Sequence, residues 1–260
     1  MNNLSDFTDR ERDLRHITRW SINPVMFFRS NLWDHARHVA WLVEEINPYA
    51  VQVFGSEYDP HKAQLLALVH DDAEIITGDV QAGNKLKMTT SQLQEIEAQE
   101  MAAIEKLAVR FPTNLGGYVY KELLIEALHK TSREAQVVML ADKLDAYGEV
   151  LHEIYAGNPY FVKSPVTEYG TIVPAYQFYL DYFAHFLKRY PTLTPLFQQK
   201  AWFFQQPQPL DFPAIGSKKK TPPAYYPHYN EWRAILLKRD GELEQKRLDT
   251  QLEFIEPNLK

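Results

Sequence analysis

Helical periodicity is the feature of this sequence that most restricts its fold. Apolar residues recur every three to four positions through several long segments, a pattern that indicates amphipathic helices rather than strands. Glycine, which tight turns use often, accounts for only 10 of the 260 residues, below the usual ~7%. The segments with the helical pattern are 31–46, 61–76, 90–109, 118–129, 133–155 and 176–189. The chain is therefore expected to be all-α.

Local signals predict where two of these helices begin or end. Asp59 followed by Pro60 is typical of an N-cap and a first helical residue, and opens the second of the helices. Asn47 and Pro48 predict the end of the first helix. The reason is that proline inside a helix removes a backbone donor and clashes with the preceding turn.

The composition changes near residue 200. Residues 205–227 are rich in proline and carry three consecutive lysines, whereas residues 229–252 could form one more charged helix. We predict a helical domain over residues 5–200 and, over residues 201–260, a proline-rich connector with a C-terminal helix. The residues beyond about 205 are expected to be separable from the chemistry of the domain.

Charge and composition exclude several classes of function. The formal net charge of −6 argues against binding a nucleic-acid polymer, which needs a basic surface. Cysteine is absent, so disulfides, thiolate nucleophiles and cysteine-based zinc sites are excluded. No apolar run approaches the roughly 18–20 residues that cross a bilayer, and the polar start of the chain is unlike a signal peptide. We expect a cytoplasmic protein that binds no membrane.

An acidic block stands at the end of the second predicted helix, in the stretch L-V-H-D-D-A-E-I-I-T-G-D. It places His70, Asp71, Asp72 and Glu74 within five positions, although carboxylates this close repel one another. A bound cation would remove that repulsion. Glu74 lies four residues after His70 and three after Asp71, hence on the same helical face, and could act as a proton donor or base beside the cation. Asp72 faces another side and is expected to be solvated or to support a ligand.

Two further residues on other predicted helices complete a set of metal ligands. His35 lies on the first helix and Asp142 on the helix 133–155. With His70 and Asp71 they provide two imidazole nitrogens and two carboxylate oxygens. That set suits an octahedral divalent metal and leaves two positions for water and substrate.

The order H…HD…D resembles that of the HD-domain metal-dependent phosphohydrolases, and most closely their bacterial 5′-deoxynucleotidase branch. The likeness covers roughly residues 12–190 and implies a helical HD-domain bundle. The C-terminal proline-rich extension beyond about residue 200 lies outside the family's usual length. The motifs that carry it are H-I-T-R-W-S with Arg19 and Trp20, D-H at Asp34-His35, H-D-D-A-E-I-I-T-G-D from His70 to Asp79, and A-D-K-L-D-A-Y with Asp142.

The resemblance implies a role for each of these residues. Asp71 and Glu74 would be catalytic, Asp71 as a ligand and Glu74 as the acid/base beside the metal. The implied cofactor is a divalent transition metal, Co, Mn, Fe, Ni or Zn. The implied metal ligands are His35, His70, Asp71 and Asp142, and the implied substrate-binding residues are Arg19, Trp20, His35, Asp79 and Asp142.

Within that set, Arg19 would bind the substrate phosphate and Trp20 would wall the sugar pocket against a 2′-hydroxyl. Two simpler interpretations stay open, Arg19 as an ion-pair partner and Trp20 as core packing. The loop after Asp79 departs from the family, which tends to have D-L-P-T-P there. Residues 80–84 read V-Q-A-G-N, without the prolines and the threonine.

The implied function is metal-dependent removal of the 5′-phosphate from nucleoside monophosphates, preferentially 2′-deoxy ones. The partner would be a small-molecule nucleotide, with a homodimer left open. One alternative is an HD hydrolase that acts on a nucleoside triphosphate, an alarmone or a small phosphomonoester. The other is a regulatory protein that binds metal or nucleotide without turnover.

Overall fold

Helices dominate the part of the chain that this computed structural model describes, which is residues 3–23, 25–210 and 227–255. The strands are only two residues long, which confirms the all-α prediction. The helices are α1 Arg10–His16, α2 Leu32–Phe54, α3 Pro60–Val69, α4 Glu74–Thr77, α5 Ala82–Lys85, α6 Thr90–Arg110, α7 Tyr120–His129, α8 Arg133–Tyr155, α9 Ala175–Ala184, α10 Phe186–Arg189 and α11 Pro227–Ile255.

Four short strands form two antiparallel hairpins. In the first, β1 Asn114–Leu115 pairs with β2 Tyr118–Val119, and in the second, β3 Val166–Thr167 pairs with β4 Gly170–Thr171. Short 3-10 helices fill the connections at Leu4–Asp6, Gly55–Glu57, Pro159–Val162, Pro191–Leu193, Leu196–Gln198 and Trp202–Phe204.

The centre of the bundle is formed by α2, α3 and α8, which pack against one another. Their facing side chains are aliphatic and lie almost wholly out of solvent, as Leu42, Leu66 and Leu140 illustrate. Burying each such side chain stabilises the fold by about 1.5–3 kcal/mol. This core holds the N-terminal end of α2, the C-terminal end of α3 and the middle of α8 in fixed positions relative to one another.

Side-chain caps begin the helices where the sequence predicts. The Asp59 carboxylate accepts hydrogen bonds from the backbone N–H groups of His61 and Lys62, so α3 begins at Pro60. The Ser132 hydroxyl accepts from the N–H of Ala135 at the start of α8.

Pro48 does not end α2, so that prediction is wrong. The helix continues for six residues beyond it, to Phe54. Pro48 lies on the exposed side of the helix, where water can solvate the carbonyl that loses its hydrogen bond. Ile46 and Ala50, on the inner side, are fully buried and stabilise the helix across the proline.

Three other predicted helices have different bounds. The segment 61–76 is not continuous, because α3 ends at Val69 and α4 begins only at Glu74, with turns between them. The segment 176–189 is divided at His185 into α9 and α10. The first two residues of 118–129 lie in β2. The aromatic residues of α9 point into the core.

One face of α8 carries a row of buried carboxylates. Asp142, Asp145, Glu149 and Glu153 follow at intervals of three, four and four residues, which places them on one side of the helix. Glu153 accepts hydrogen bonds from the backbone N–H groups of Phe27 and Phe28 and so fastens that loop to the helix. The other three carboxylates reach the site described below.

The C-terminal helix α11 packs on α8, α2 and the turn Trp202–Phe204. Tyr229, Trp232 and Leu236 form its buried side. The lysine run and most of the predicted connector lie outside the described residues, and the boundary at residue 200 stays a prediction. Within the described residues, none of the helices combines the length and apolarity needed to cross a bilayer.

Candidate metal centre and substrate pocket

Two histidines and an aspartate meet where α2, α3 and α8 converge. The ligand atoms of His35, His70 and Asp71 all lie within 4.8 Å of one another. Asp71 Oδ2 is 3.2 Å from His70 Nε2 and 3.5 Å from His35 Nε2. Asp142 Oδ1 joins the cluster at 3.3 Å from His35 Nε2. The structure therefore brings together all four residues that the sequence predicts as metal ligands.

Each imidazole is oriented through its other ring nitrogen. His35 lies in the first turn of α2 and its Nδ1 contacts Asp145 Oδ2 at 2.7 Å. His70 follows the end of α3, and its Nδ1 lies 2.8 Å from the Ala67 carbonyl oxygen. Metal-binding histidines are commonly oriented in this way, with the second nitrogen bonded to a carboxylate or a backbone carbonyl.

The fit of the cluster to a cation can be tested on the two Nε2 atoms. Those of His35 and His70 are both buried, and neither makes a hydrogen bond with the described residues. Buried polar atoms usually have a partner. Two imidazole nitrogens and two carboxylate oxygens around one point are the donors that a divalent transition metal takes, so the residues fit a metal.

The carboxylates of the cluster are held ionised. Burial alone would raise the pKa of Asp71, but His70 and His35 outweigh it, and the pKa lies well below its usual value. Burial opposes ionisation of Asp142 as well, yet Lys143 and His35 hold its pKa well below the usual range. In the protein without metal, burial and Arg19 lower the pKa of His35, but Asp142 and Asp145 raise it to about 9.

The pKa of Glu74 is displaced in the opposite direction to those of Asp71 and Asp142. Glu74 is the first residue of α4 and lines the pocket, with Oε2 buried and without a hydrogen bond among the described residues. Burial raises its pKa well above the usual value, and Asp71 and Asp79 raise it further. Asp79 lines the same pocket, and burial raises its pKa as well. Glu74 is therefore the carboxyl group suited to carry a proton beside an ionised cluster.

Arg19 and Trp20 form one wall of the pocket through a shared carboxylate. Arg19 Nη1 donates to Glu149 Oε2 at 2.6 Å, and Trp20 Nε1 donates to the same oxygen at 2.8 Å. Burial lowers the pKa of Arg19, but Glu149 and Asp145 raise it more, so the guanidinium stays charged. The two simpler interpretations, Arg19 as an ion-pair partner and Trp20 as core packing, thus each describe part of the arrangement. Arg19 is in an ion pair with Glu149, and Trp20 is buried, with 8% exposure.

The Trp20 ring is fixed from several directions. Its φ of 61° lies in the left-handed region, which costs a non-glycine residue of the order of 1–3 kcal/mol. The indole packs edge-on against Phe161 and Tyr179, with ring centroids 5.4 and 6.2 Å away. A ring held in this way is a rigid surface rather than an adaptable one.

The pocket has a volume of about 340 Å³, in the range of small-molecule sites. One part of its lining is the cluster with Arg19, Trp20, Glu74 and Asp79, and another part is aromatic. Residues Val80–Gly83, where the sequence departs from the family, line it too. Further basic side chains in the lining are Lys85, Lys130, Lys143 and Arg189.

The sequence analysis misplaced one carboxylate and missed two. The Asp72 carboxylate is neither solvated nor in contact with a predicted ligand, because it is buried in an ion pair with Arg10. Asp145 and Glu149 were missed, although both contact predicted site residues. Their spacing after Asp142, of three residues and then four, places all three on one face of α8 and was a usable signal, since buried carboxylates need partners.

Comparison with known proteins agrees with this geometry. A family model described as 5′-deoxynucleotidase YfbR-like matches residues 6–190. A 5′-deoxynucleotidase of Klebsiella pneumoniae is 30% identical over 200 residues, which cover 76% of this chain and 94% of the relative. A 5′-deoxynucleotidase of Cronobacter sakazakii is 31% identical over 173 residues, with 65% of this chain and 83% of the relative covered. An HD-domain phosphohydrolase of Listeria innocua shares the fold, with a TM-score of 0.51 at 16% identity over 89% of this chain and 98% of that one.

The helical fold and the clustered histidines and aspartates define an enzyme of the HD-domain phosphohydrolase class, which confirms the class that the motifs predicted. Within this class, the chain belongs to the YfbR-like 5′-deoxynucleotidase family.

Proposed function

We propose that this chain is a metal-dependent phosphohydrolase that removes the 5′-phosphate from nucleoside monophosphates and prefers 2′-deoxyribonucleosides. The observation that carries the proposal is the pair of buried Nε2 atoms of His35 and His70, without hydrogen bonds to the described residues and beside two ionised carboxylates. The names of the relatives, 5′-deoxynucleotidases about 30% identical to this chain, support nucleotides as the substrate class.

His35, His70, Asp71 and Asp142 would hold the metal, for which Co, Mn, Fe, Ni and Zn are candidates. When bound, such a cation supplies Lewis acidity toward a phosphoryl oxygen and the attacking water. Without the metal, both aspartates are already ionised, and the Nε2 atom of each histidine faces an aspartate oxygen.

Arg19 would bind the phosphate. Among the described residues, Arg19 donates to Glu149 through Nη1. The Nε–Nη2 edge of the planar guanidinium is therefore left for two phosphate oxygens. Glu149 fixes the position of the guanidinium. Burial lowers the pKa of Arg19, but Glu149 and Asp145 raise it more, so the guanidinium stays charged.

Glu74 would give a proton to the leaving 5′-oxygen. The raised pKa keeps the proton on this carboxyl group while Asp71 next to it is ionised. Two nearby carboxyl groups with pKa values displaced in opposite directions are the usual basis for such a division of roles.

Trp20 would select the sugar. A rigid indole edge close to C2′ leaves no space and no hydrogen-bond partner for an added hydroxyl. Burying a hydroxyl without a partner costs about 1–3 kcal/mol, or roughly 5- to 150-fold in relative kcat/KM.

One observation favours a second candidate substrate class. The pocket lining contains Lys130 and Arg189 in addition to Arg19, as well as Lys85, which is paired with Glu100. A nucleoside triphosphate would use these side chains.

A phosphate-release assay on a substrate panel tests the proposal. The panel contains deoxyribonucleoside and ribonucleoside monophosphates with matched bases, the corresponding triphosphates and a simple phosphomonoester, each with added Co²⁺ or Mn²⁺. We expect fastest turnover of deoxyribonucleoside monophosphates and loss of turnover with a chelator. The Asp71→Ala variant, purified in parallel, reports any contaminating phosphatase. Equal rates on ribonucleotides and deoxyribonucleotides, or turnover of triphosphates alone, would contradict the substrate assignment.

A further inference from the structure

Trp232 of the C-terminal helix, outside the family-matched region, contacts Asp145, the carboxylate that also contacts His35. The family model ends at residue 190, and Trp232 lies 42 positions later, in α11. Its side chain is buried, with 3% exposure, between α11 and α8. The tryptophan Nε1 donates a hydrogen bond to Asp145 Oδ1 at 2.8 Å.

Gly148 provides the space for this indole. A Cβ atom at position 148 would lie 2.3 Å from Trp232 Cδ2 and 2.5 Å from two other ring atoms. Gly148 has no left-handed φ that would require glycine, and glycine is a poor residue for the interior of a helix. What the glycine contributes in this helix is therefore room for the ring of Trp232.

Asp145 connects the indole to a predicted metal ligand. It is fully buried, and its second oxygen, Oδ2, lies 2.7 Å from His35 Nδ1. The two ring N–H groups thus approach the two different oxygens of one carboxylate. His38 Nδ1 and Arg19 Nη1 are farther away, at 3.4 and 3.6 Å.

Two short hydrogen bonds to opposite oxygens fix the rotation of the Asp145 carboxylate about its side-chain axis. With the tryptophan N–H removed, the carboxylate could rotate toward His38 or Arg19, and His35 would lose its fixed orientation. Groups that orient a metal-binding histidine commonly change metal affinity 10- to 100-fold when they are removed.

We propose that Trp232 is a positioning residue for the metal site, acting through Asp145 on His35. The C-terminal helix would then help to orient a metal ligand. This inference rests on the metal site of the proposed function. It departs from the expectation that residues beyond about 205 are separable from the chemistry.

Cobalt binding to the full chain tests the proposal without using activity. The Trp232→Phe variant keeps a packed aromatic ring and removes the N–H donor together with part of the indole. The measurements are the Co²⁺ dissociation constant, by competition with a chelator, and the visible absorption of bound Co²⁺. We expect binding about 10- to 100-fold weaker in Trp232→Phe, with altered visible bands.

Tyr229→Phe is the matched control. Tyr229 lies one turn earlier in α11, and its hydroxyl contacts His152 Nδ1 on α8 at 3.3 Å, away from Asp145. The substitution removes one polar group from the same interface between helices. We expect cobalt affinity and spectrum to stay those of the wild type.

Gly148→Ala provides a second route, because the added methyl group displaces the indole while Trp232 remains in the chain. It should weaken cobalt binding in the same direction, and the double variant with Trp232→Phe should lose less than the product of the two single effects. Wild-type cobalt affinity in Trp232→Phe, or an equal loss in Tyr229→Phe, would overturn the proposal. A wild-type chain that binds no Co²⁺ would overturn the proposed metal site as well.

Discussion

Two buried arginines, Arg10 and Arg19, each pair with a buried carboxylate, but the two pairs differ in how completely their polar atoms are used. Arg10 binds Asp72 through two nitrogens, with distances of 2.8 Å from Nε and 2.6 Å from Nη2. It also donates to the Leu68 carbonyl. The Tyr120 hydroxyl donates to Asp72 as well, at 2.8 Å.

The pair formed by Arg19 is incomplete by comparison. Only Nη1 donates to Glu149, and Glu149 Oε1 is buried with no partner among the described residues. The more completely bonded pair, Arg10 with Asp72, lies in the interior and anchors α1 to the turn after α3. The less completely bonded pair lies on the wall of the pocket and retains donors for a ligand. Incomplete pairing of a buried charge is costly, and its occurrence at the pocket supports the proposed role of Arg19.

The contrast between a pair in the core and a group at the pocket also separates two neighbouring residues, Asp71 and Asp72. Asp71 points to the two histidines and Asp72 to Arg10. A single peptide bond thus divides a carboxylate of the site from one of the core, and substitutions of the two should fail in different ways.

The largest expected effects come from exchanging alanine for each of these aspartates. Asp71→Ala should lose bound metal and turnover while it keeps its helical circular dichroism, because only a ligand is removed. Asp72→Ala should lower the free energy of unfolding by about 3–5 kcal/mol, because Arg10 is left buried without its partner. Metal analysis, phosphate release and denaturant unfolding of both variants check this. Full metal-dependent turnover in Asp71→Ala would refute the site assignment.

Glu74→Gln tests the proposed role of Glu74 as the donor of a proton to the leaving 5′-oxygen. We expect the variant to bind metal and substrate but to turn over at least ~10²-fold more slowly, since an amide cannot transfer the proton. Steady-state kinetics with parallel metal analysis measure this. Loss of metal equal to that in Asp71→Ala would make Glu74 a ligand instead.

Trp20→Ala should affect selectivity for the sugar, whereas Arg19→Ala should affect binding of the phosphate. Trp20→Ala is expected to lose most of a deoxyribose preference of roughly 5- to 150-fold, because the rigid wall is gone. Arg19→Ala should lower kcat/KM for both sugar classes alike, because both carry the phosphate. The measurement is kcat/KM for a matched pair of monophosphates, and a preference unchanged in Trp20→Ala would assign the selection to other residues.

The smallest expected effect is on the stability of the metal-free protein. Burial, Asp71 and Asp79 raise the pKa of Glu74 above its ordinary 4.5. The folded protein therefore binds this proton more tightly than the unfolded chain, and the stability that results is present below pH 4.5 and is lost as the pH rises. Metal-free Glu74→Gln should consequently be more stable than the wild type at neutral pH and equal to it near pH 4. Thermal unfolding across that pH range provides the comparison, and a difference independent of pH would contradict it.

The helices and the ligand motifs were predictable because they depend on residues close in the chain. The N-caps at Asp59 and Ser132 act over two or three residues, and the hydrophobic period is read within one segment. His35, His70, Asp71 and Asp142 stand in motifs of the family, and the structure brings their side chains together. Their roles toward metal and substrate stay predictions.

The partners of buried polar groups were not predictable from the sequence, because they come from distant segments. Asp72 meets Arg10 across 62 positions, Glu149 meets Arg19 across 130, and Asp145 meets Trp232 across 87. Each of these side chains could satisfy its charge or hydrogen bonds in several ways in an unfolded chain. The close packing of the core leaves one partner within reach. The sequence by itself determined a helical chain with a histidine–aspartate motif, and the tertiary structure decided which carboxylates contact the site, which anchor the core, and that the C-terminal helix contacts Asp145 beside His35.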